Sequence, residues 1–373
     1  MSTSHDKNTR GNGREGRLSP VLMPYHYDLR YDEINLTKFT FHGTVTLHGT
    51  AAATLLDDDD DGSNQIVIAL HASELQLTKA TLTCKPTNVT SKPKLEAVEF
   101  RYKLNDHIVQ IVFDPPDAAA ATPFIQVDQD YALTIDFVGI LNDQMRGLYR
   151  STYRGLDGTT THVMATTQFE STDARRAFPC LDEPALKATF CLTVVIPAHL
   201  QCISNTPVAS VFTKEVSSTS SSRAQTVMRE ITFQKTPKMS TYLLALVVGQ
   251  FDCISQTLSQ HNNNITLTIY TVPGKAHQAH FSLDTAVRCL AFYQDLFQIP
   301  YPLVKLDTLA IPDFAAGAME NWGCMTYREA KILEQPGVTS ESTRRGMART
   351  ICHEVRVNAI HNRVTTNANH IQT

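Results

Sequence analysis

Two short stretches carry residue types that could do chemistry together. Gly317-Ala318-Met319-Glu320-Asn321 sets a carboxylate in a bend of small residues, where backbone can lie close against a ligand. His353-Glu354, further along, opens the pattern H-E-x-x-H. In that pattern histidines at i and i+4 share a helix face and hold one metal, leaving the glutamate beside the metal's water. Here the pattern starts and does not finish, because position 357 is Val357. His361 is no substitute: on a helix it lies about 12 Å along the axis from His353, whereas two ligands of one zinc each sit about 2 Å from it. His370 is placed by no local rule.

A helix has to position His353 and Glu354. Ser340 or Ser342 is a suitable cap, and Met347, Ala348, Ile351 and Val355 fall on one side of the helix that would follow. The bend at 315–318 follows a predicted strand, Leu306–Ile311, closed by Pro312, and Trp322–Tyr327 resumes extended structure. Upstream, Leu283, Val287, Leu290, Tyr293 and Phe297 form a helical stripe from Ala276 to Phe297, which Ile299-Pro300-Tyr301-Pro302 ends.

Before about residue 252 the texture is β. Phe39–Leu55, Ile66–Leu70, Ile108–Phe113, Tyr131–Val138, Ala188–Ile196, Thr226–Phe233 and Tyr242–Phe251 read as short strands, which argues for a sheet-rich, antiparallel first domain. The breakers between them are Asp57–Asp61, Asp114-Pro115-Pro116, Ala118–Ala121 and Ser217–Ser222, read as solvated loop tips.

At 373 residues, two or three domains are expected. A net charge of −4 without a basic cluster argues against a nucleic-acid or anionic-membrane surface. Eight cysteines without a C-x-x-C pair point to reduced thiols in a cytoplasmic protein. No apolar leader is visible in the polar stretch Met1–Arg17, and Tyr242–Val248, the longest apolar run, is far short of a membrane helix.

His-Glu alone, or a glutamate after Gly-Ala-Met alone, would mean little. Joined to Asp313-Phe314-Ala315-Ala316, to the long segment Thr167–Pro184 (TQFESTDARRAFPCLDEP), to Leu141–Gly147 (LNDQMRG) and to Lys238–Tyr242 (KMSTY), they are highly specific. With these motifs the chain resembles the zinc aminopeptidases of the aminopeptidase N class, from about Pro20 to Glu354.

The resemblance implies a mainly β, saddle-shaped N-terminal domain (18–251) after a disordered tail (1–17). An incomplete α+β, thermolysin-like catalytic domain (252–354) follows. It implies a peptidase that releases N-terminal residues from peptides with a free amino end. Glu320 matches the glutamate that binds the substrate's α-amino group, and Gln168 and Glu170 match the residues completing that amine pocket. Gly317, Ala318, Met319 and Asn321 would line the substrate backbone. His353 matches the first zinc ligand and Glu354 the general base acting on zinc-bound water. Arg175, Arg176 and Asp182 are read as architectural charges holding an interface between domains.

The family also needs a second histidine where this chain has Val357, and two further residues downstream. From Val355 to Thr373 the sequence is rich in Asn and Thr and loses the family's character, which suggests a change of reading after Glu354: a retained intron, a frameshift or a gene-model error. The expectation is a chain that does not hold zinc stably and does not hydrolyse peptides. The alternative is a short isoform that binds peptide N-termini or interferes with the full-length enzyme. The stripe at 283–297 is expected to lack part of its packing partner and to expose apolar surface.

Overall fold

Alternation of apolar and polar residues drives the first layer. In the computed structural model, which describes residues 17–18, 20–52, 65–85, 94–115, 124–216 and 226–361, with side chains to 359, strand β1 is Leu22–Asn35. Strands β2 (Thr40–Ala51), β3 (Ile66–His71), β4 (Leu75–Cys84), β5 (Lys94–Lys103), β6 (Ile108–Phe113) and β7 (Asp130–Ile140) follow. Tyr27, Leu29 and Tyr31 of β1, Val45 and Leu47 of β2, and Leu133, Ile135 and Phe137 of β7 all point to one face and are buried. The register puts Leu47 between Tyr27 and Leu133, and Val45 between Leu29 and Ile135. Each fully buried side chain of this kind contributes about 1.5–3 kcal/mol relative to exposure.

The chain continues through β8 (Gly147–Arg154), β9 (Thr161–Gln168), β10 (Thr189–Pro197), β11 (Gln201–Ser204), β12 (Val208–Val216), β13 (Thr226–Phe233) and β14 (Leu246–Gly249). Ten strands form one sheet in the order β12-β13-β10-β1-β2-β7-β4-β5-β6-β3, and four form a second, β11-β14-β9-β8. The expected antiparallel arrangement has one exception, since β1 and β10 run parallel. An aromatic cluster fills the core, with Tyr27 stacked on Phe190 at 5.1 Å and Phe178 edge-on to both.

A third sheet begins at β15 (Asp252–Gln260), with β16 (Asn263–Thr271), β17 (Lys305–Ile311), β18 (Ala318–Met319) and β19 (Cys324–Arg328) in the order β15-β16-β17-β19-β18. Helix α1 (His280–Phe297) and helix α2 (Glu341–Arg356) pack on each other, and α1 also packs on β15 and β16. The stripe on α1 is covered at its start, where Leu283, Val287 and Leu290 are buried, while towards its end Phe297 of the stripe, with Phe292 and Leu296, exposes apolar surface. No described helix is long and apolar enough to cross a membrane.

Two buried contacts weld the second unit to the first. Lys305 Nζ donates to Ser204 O at 2.8 Å, Gly323 O at 2.9 Å and the Asp307 carboxylate at 2.6 Å. Asn205 Nδ2 donates to the carbonyls of Leu243 and Trp322. Gly323 has φ +76°, and a Cβ there would meet Asn205 O at 2.3 Å, so this crossing needs glycine. Arg175, Arg176 and Asp182 do not take part in that junction, which corrects the reading of them as inter-domain charges. Arg175 pairs with Asp182 at 3.0 Å and Arg176 with Asp173 and Glu74, all inside the first unit. They are buried charges that satisfy one another at a loop crossing.

The predicted loop tips Asp57–Asp61, Ala118–Ala121 and Ser217–Ser222, all but Arg17 of the predicted 1–17 tail, and residues 362–373 of the predicted aberrant tail lie outside the described residues.

Candidate ammonium site and the place of the missing imidazole

Helix α2 starts where the Ser340 hydroxyl accepts the amide of Thr343 at 3.1 Å, a side-chain N-cap, with Glu341 in the first turn. Its inner face carries Met347, Ile351, Glu354 and Val355. A glutamate thus occupies a position where the helical period demands an apolar residue. Glu354 is only 6% exposed and its Oε2 has no hydrogen-bond partner among the described residues. His353, about 100° around the helix, is exposed.

The bend 312–317 is held from two sides. The Asp313 carboxylate accepts the Thr152 amide at 2.8 Å and the Ser151 hydroxyl at 3.2 Å, and Asp313 O accepts the Tyr149 hydroxyl at 2.8 Å. Arg328 donates from its amide to Gly317 O and from its guanidinium to the carbonyls of Phe314 and Ala315. The chain then enters β18, where Ala318 pairs with Tyr327 and Met319 with Thr326. Because β18 ends the sheet, its far side offers unpaired backbone among the described strands. Gly317 and Ala318 are half-exposed, Met319 is buried, and Asn321 is buried with its amide on Thr326 Oγ1 at 3.3 Å. Of the residues predicted to line a substrate, Gly317 and Ala318 therefore reach the surface, while the Met319 and Asn321 side chains serve the core.

Glu320 follows, half-buried. Glu170, two residues beyond the end of β9, faces it: burial raises the Glu170 pKa and the neighbouring Glu320 charge raises it further. Glu354 is pushed up to about 7, first by burial and then by Glu320 and Glu170. The three carboxyl groups, just beyond β9, just beyond β18 and on α2, thus lie near enough to act on one another, with Glu170 at the solvent side. Tyr242 and Tyr327 border them, their phenols raised by burial and by these charges. Gln168, at the end of β9, is 8% exposed, and its Oε1 is buried without a hydrogen-bond partner among the described residues. The chemistry of this pocket is that of an acceptor set, oxygen-rich and anionic, matched to a cation with several N–H donors.

Asn358 was not singled out from the sequence, and it anchors the pocket from behind. Fully buried, it donates through Nδ2 to Glu320 O at 2.9 Å and Asn321 O at 3.0 Å, and its Oδ1 accepts the Gly323 amide and the Tyr301 hydroxyl. The only available signal was its place four residues after Glu354, on the same helix face. Tyr242 lay inside the quoted KMSTY motif, but nothing local assigned it to the pocket.

Residues 23–243 match the Peptidase M1 N-terminal domain and residues 281–369 the Peptidase family M1 domain. The chain belongs to peptidase family M1. It is 38% identical over 341 residues to puromycin-sensitive aminopeptidase of Caenorhabditis elegans, 37% over 340 residues to human endoplasmic reticulum aminopeptidase 1, and 38% over 345 residues to rice aminopeptidase M1-C. Each match covers 91% of this M1 chain but only 32%, 32% and 34% of the relative, about a third of its length. The architecture is a β-rich M1 N-terminal domain followed by a short, partial catalytic domain with two helices.

The M1 family uses zinc, and the described residues of this M1 chain do not fit it. His353 is exposed while the residue one turn on is Val357, which has no donor atom, and no three His, Cys, Asp or Glu side chains come together as a metal-binding group among the described residues. Zinc needs at least three protein ligands in a catalytic site. One imidazole does not meet that demand.

Proposed function

We propose that this chain grips the free amino end of a peptide and does not cleave it. The observation that carries the reading is the pocket of Glu170, Glu320 and Glu354, with the unpartnered oxygens of Gln168 and Glu354, beside the open edge of β18. A terminal ammonium supplies three N–H donors and a positive charge, and charge-assisted bonds to carboxylates are the strong kind. The peptide backbone would then add to β18 as an extra strand, with Gly317 and Ala318 leaving room for its approach. Hydrolysis would need an activated water, and Val357 removes the second imidazole that the metal route requires. In this reading Glu354 acts as an acceptor and not as a general base. Family descent from peptidases that act on peptide N-termini supports peptides as the ligand class.

Isothermal titration with the full chain tests this. A peptide with a free amino terminus binds, its N-acetylated form loses at least tenfold in affinity, and Glu320→Gln weakens the free peptide by a comparable factor. Equal affinity for free and acetylated peptides would sink the amine assignment. In parallel, an amino-acid naphthylamide is not turned over with zinc added, and zinc does not shift the melting midpoint. Turnover or stoichiometric retained zinc would overturn the inactivity.

A further inference from the structure

Three arginines of α2 stand apart in the sequence and together in the fold. Arg345, Arg349 and Arg356 are four and seven residues apart, so no basic run shows along the chain. On a helix they fall within about 40° of one another round the axis and span about 16 Å of its length. All three are exposed and, unlike Arg344, which pairs with Glu334 and Glu341, none is in a salt bridge among the described residues. The acidic residues of α2 itself do not answer them, since Glu341 is already paired and Glu354 is on the buried face.

Helix α1 borders this row with hydrocarbon. The two helices pack on each other and run in the same direction. At their starts the Arg344 guanidinium covers the Phe281 ring at 4.8 Å. At their ends Gln294 Oε1 accepts the Tyr301 amide at 2.8 Å, and the Tyr301 hydroxyl donates to Asn358, just past α2, at 3.1 Å. Phe292 and Leu296 fall within about 60° of Phe281 round α1, on the flank turned towards α2. They are 59% and 56% exposed. Tyr293 meets Phe292 edge-on at 5.5 Å and stacks on Phe297 at 6.1 Å, so the apolar patch is held as a unit.

We infer that this face docks an acidic amphipathic helix of a partner protein, its carboxylates on Arg345, Arg349 and Arg356 and its apolar side chains on Phe292 and Leu296. Guanidinium forks match carboxylates in pairs of parallel hydrogen bonds, and glutamates one helical turn apart match the spacing of Arg345 and Arg349. A helix laid along two packed helices buries its apolar side between them, which supplies most of the affinity, while the charges set orientation and speed the encounter. A second copy of this chain is the poorer occupant, because a two-fold contact sets the arginine row against itself. A polyanion such as nucleic acid is held through its phosphates and leaves the hydrocarbon half unused, and the net charge of −4 opposes it. The inference does not depend on the ammonium pocket, since the partner helix needs no free amino end.

The test uses the full chain and a short, N-acetylated, C-terminally fluorescein-labelled helical peptide, with glutamates at i and i+4 and leucines on the adjacent face, read by fluorescence polarisation. Acetylation keeps the probe out of the ammonium pocket. The expected result is saturable binding that weakens as salt is added and falls roughly tenfold or more when the glutamates become glutamines. Arg345→Glu combined with Arg349→Glu loses the glutamate peptide and gains a peptide with lysines in those positions, a reversal that an unfolded chain would not show. Phe292→Ser weakens both pairings. Absence of saturable binding overturns the proposal, as does equal affinity for the glutamate and glutamine peptides or unchanged affinity in the double variant. Two further outcomes give the face to another occupant and also overturn it. One is tighter binding, lost in the double variant, to duplex DNA or to vesicles of phosphatidylserine in phosphatidylcholine. The other is a dimer in sedimentation equilibrium that Phe292→Ser disperses. If the double variant does not fold, the glutamate and glutamine peptides on the parent chain decide alone.

Discussion

Glu354 is a carboxyl group placed where its helix calls for a hydrocarbon, and its titration should be visible in stability. Its ordinary value is 4.5, and in the fold it is pushed up to about 7 by burial and then by Glu320 and Glu170. Between those values the folded chain holds a proton that the unfolded chain has released, so stability falls as pH rises from about 4.5 to about 7 and is level beyond. Glu354→Gln keeps the shape and removes the charge. The variant should match the parent near pH 5 and exceed it at pH 8 by about 1–2 kcal/mol, a figure set below the full shift because solvent near the group screens its charge. Denaturant titrations at the two pH values measure this. An equal change at both would mean that the glutamate's charge is not the cause.

At the scale of elements, the segment after α2 is tied to the bend through one side chain. Asn358→Ala would leave the carbonyls of Glu320 and Asn321 and the amide of Gly323 buried without their partner, at about 1–3 kcal/mol for each group that water cannot reach. Asn358→Asp should be worse than Asn358→Ala, since it sets a negative charge against two carbonyl oxygens. Hydrogen exchange should show amides from 320 to 324 losing protection in both variants. Unchanged protection would mean that Asn358 does not hold the bend to the segment after α2. What the sequence made legible divides along physical lines. Strands with one wet and one dry face, such as β2, β7 and β10, announce themselves by alternation, and α1 and the Ser340 cap by their period and hydroxyl. Missed were β1, β4, β5, β8, β11, β12, β16 and the two-residue β18, together with β9, whose inner residues include the buried threonines 166 and 167, and β15, whose large apolar residues are only Ile254 and Leu258. The predicted strand Tyr242–Phe251 shortened to β14 because Asn205 takes the Leu243 carbonyl and the Ala245 amide that a ladder would have used. The carboxylates were named as a set by resemblance, but their mutual approach from three distant parts of the chain has no local signal. Neither does Asn358.

Across the whole molecule, the two units should unfold together, because the Lys305 junction leaves neither with a complete interior of its own. Lys305 pairs with the buried Asp307, whose pKa is raised because burial outweighs the attraction of Lys305. Breaking one side of such a pair strands a charge in a poorly solvated place, which typically costs about 3–5 kcal/mol, whereas replacing both sides by hydrocarbon is often neutral or better. Lys305→Met should therefore destabilise the chain strongly and lift the contacts to Ser204 and Gly323 as well, so that urea unfolding separates into two transitions. Lys305→Met combined with Asp307→Leu should recover much of the midpoint, because the stranded carboxylate is gone, but not all of it, because the Ser204 and Gly323 carbonyls still lack the ammonium donor. Fluorescence of Trp322, the chain's single tryptophan and buried at the junction, follows that region, while circular dichroism follows the β-rich remainder. Coincident curves for the parent and divergent curves for Lys305→Met would locate the coupling at this lysine. Coincident curves for both would place it in the wider apolar contact between the second and third sheets.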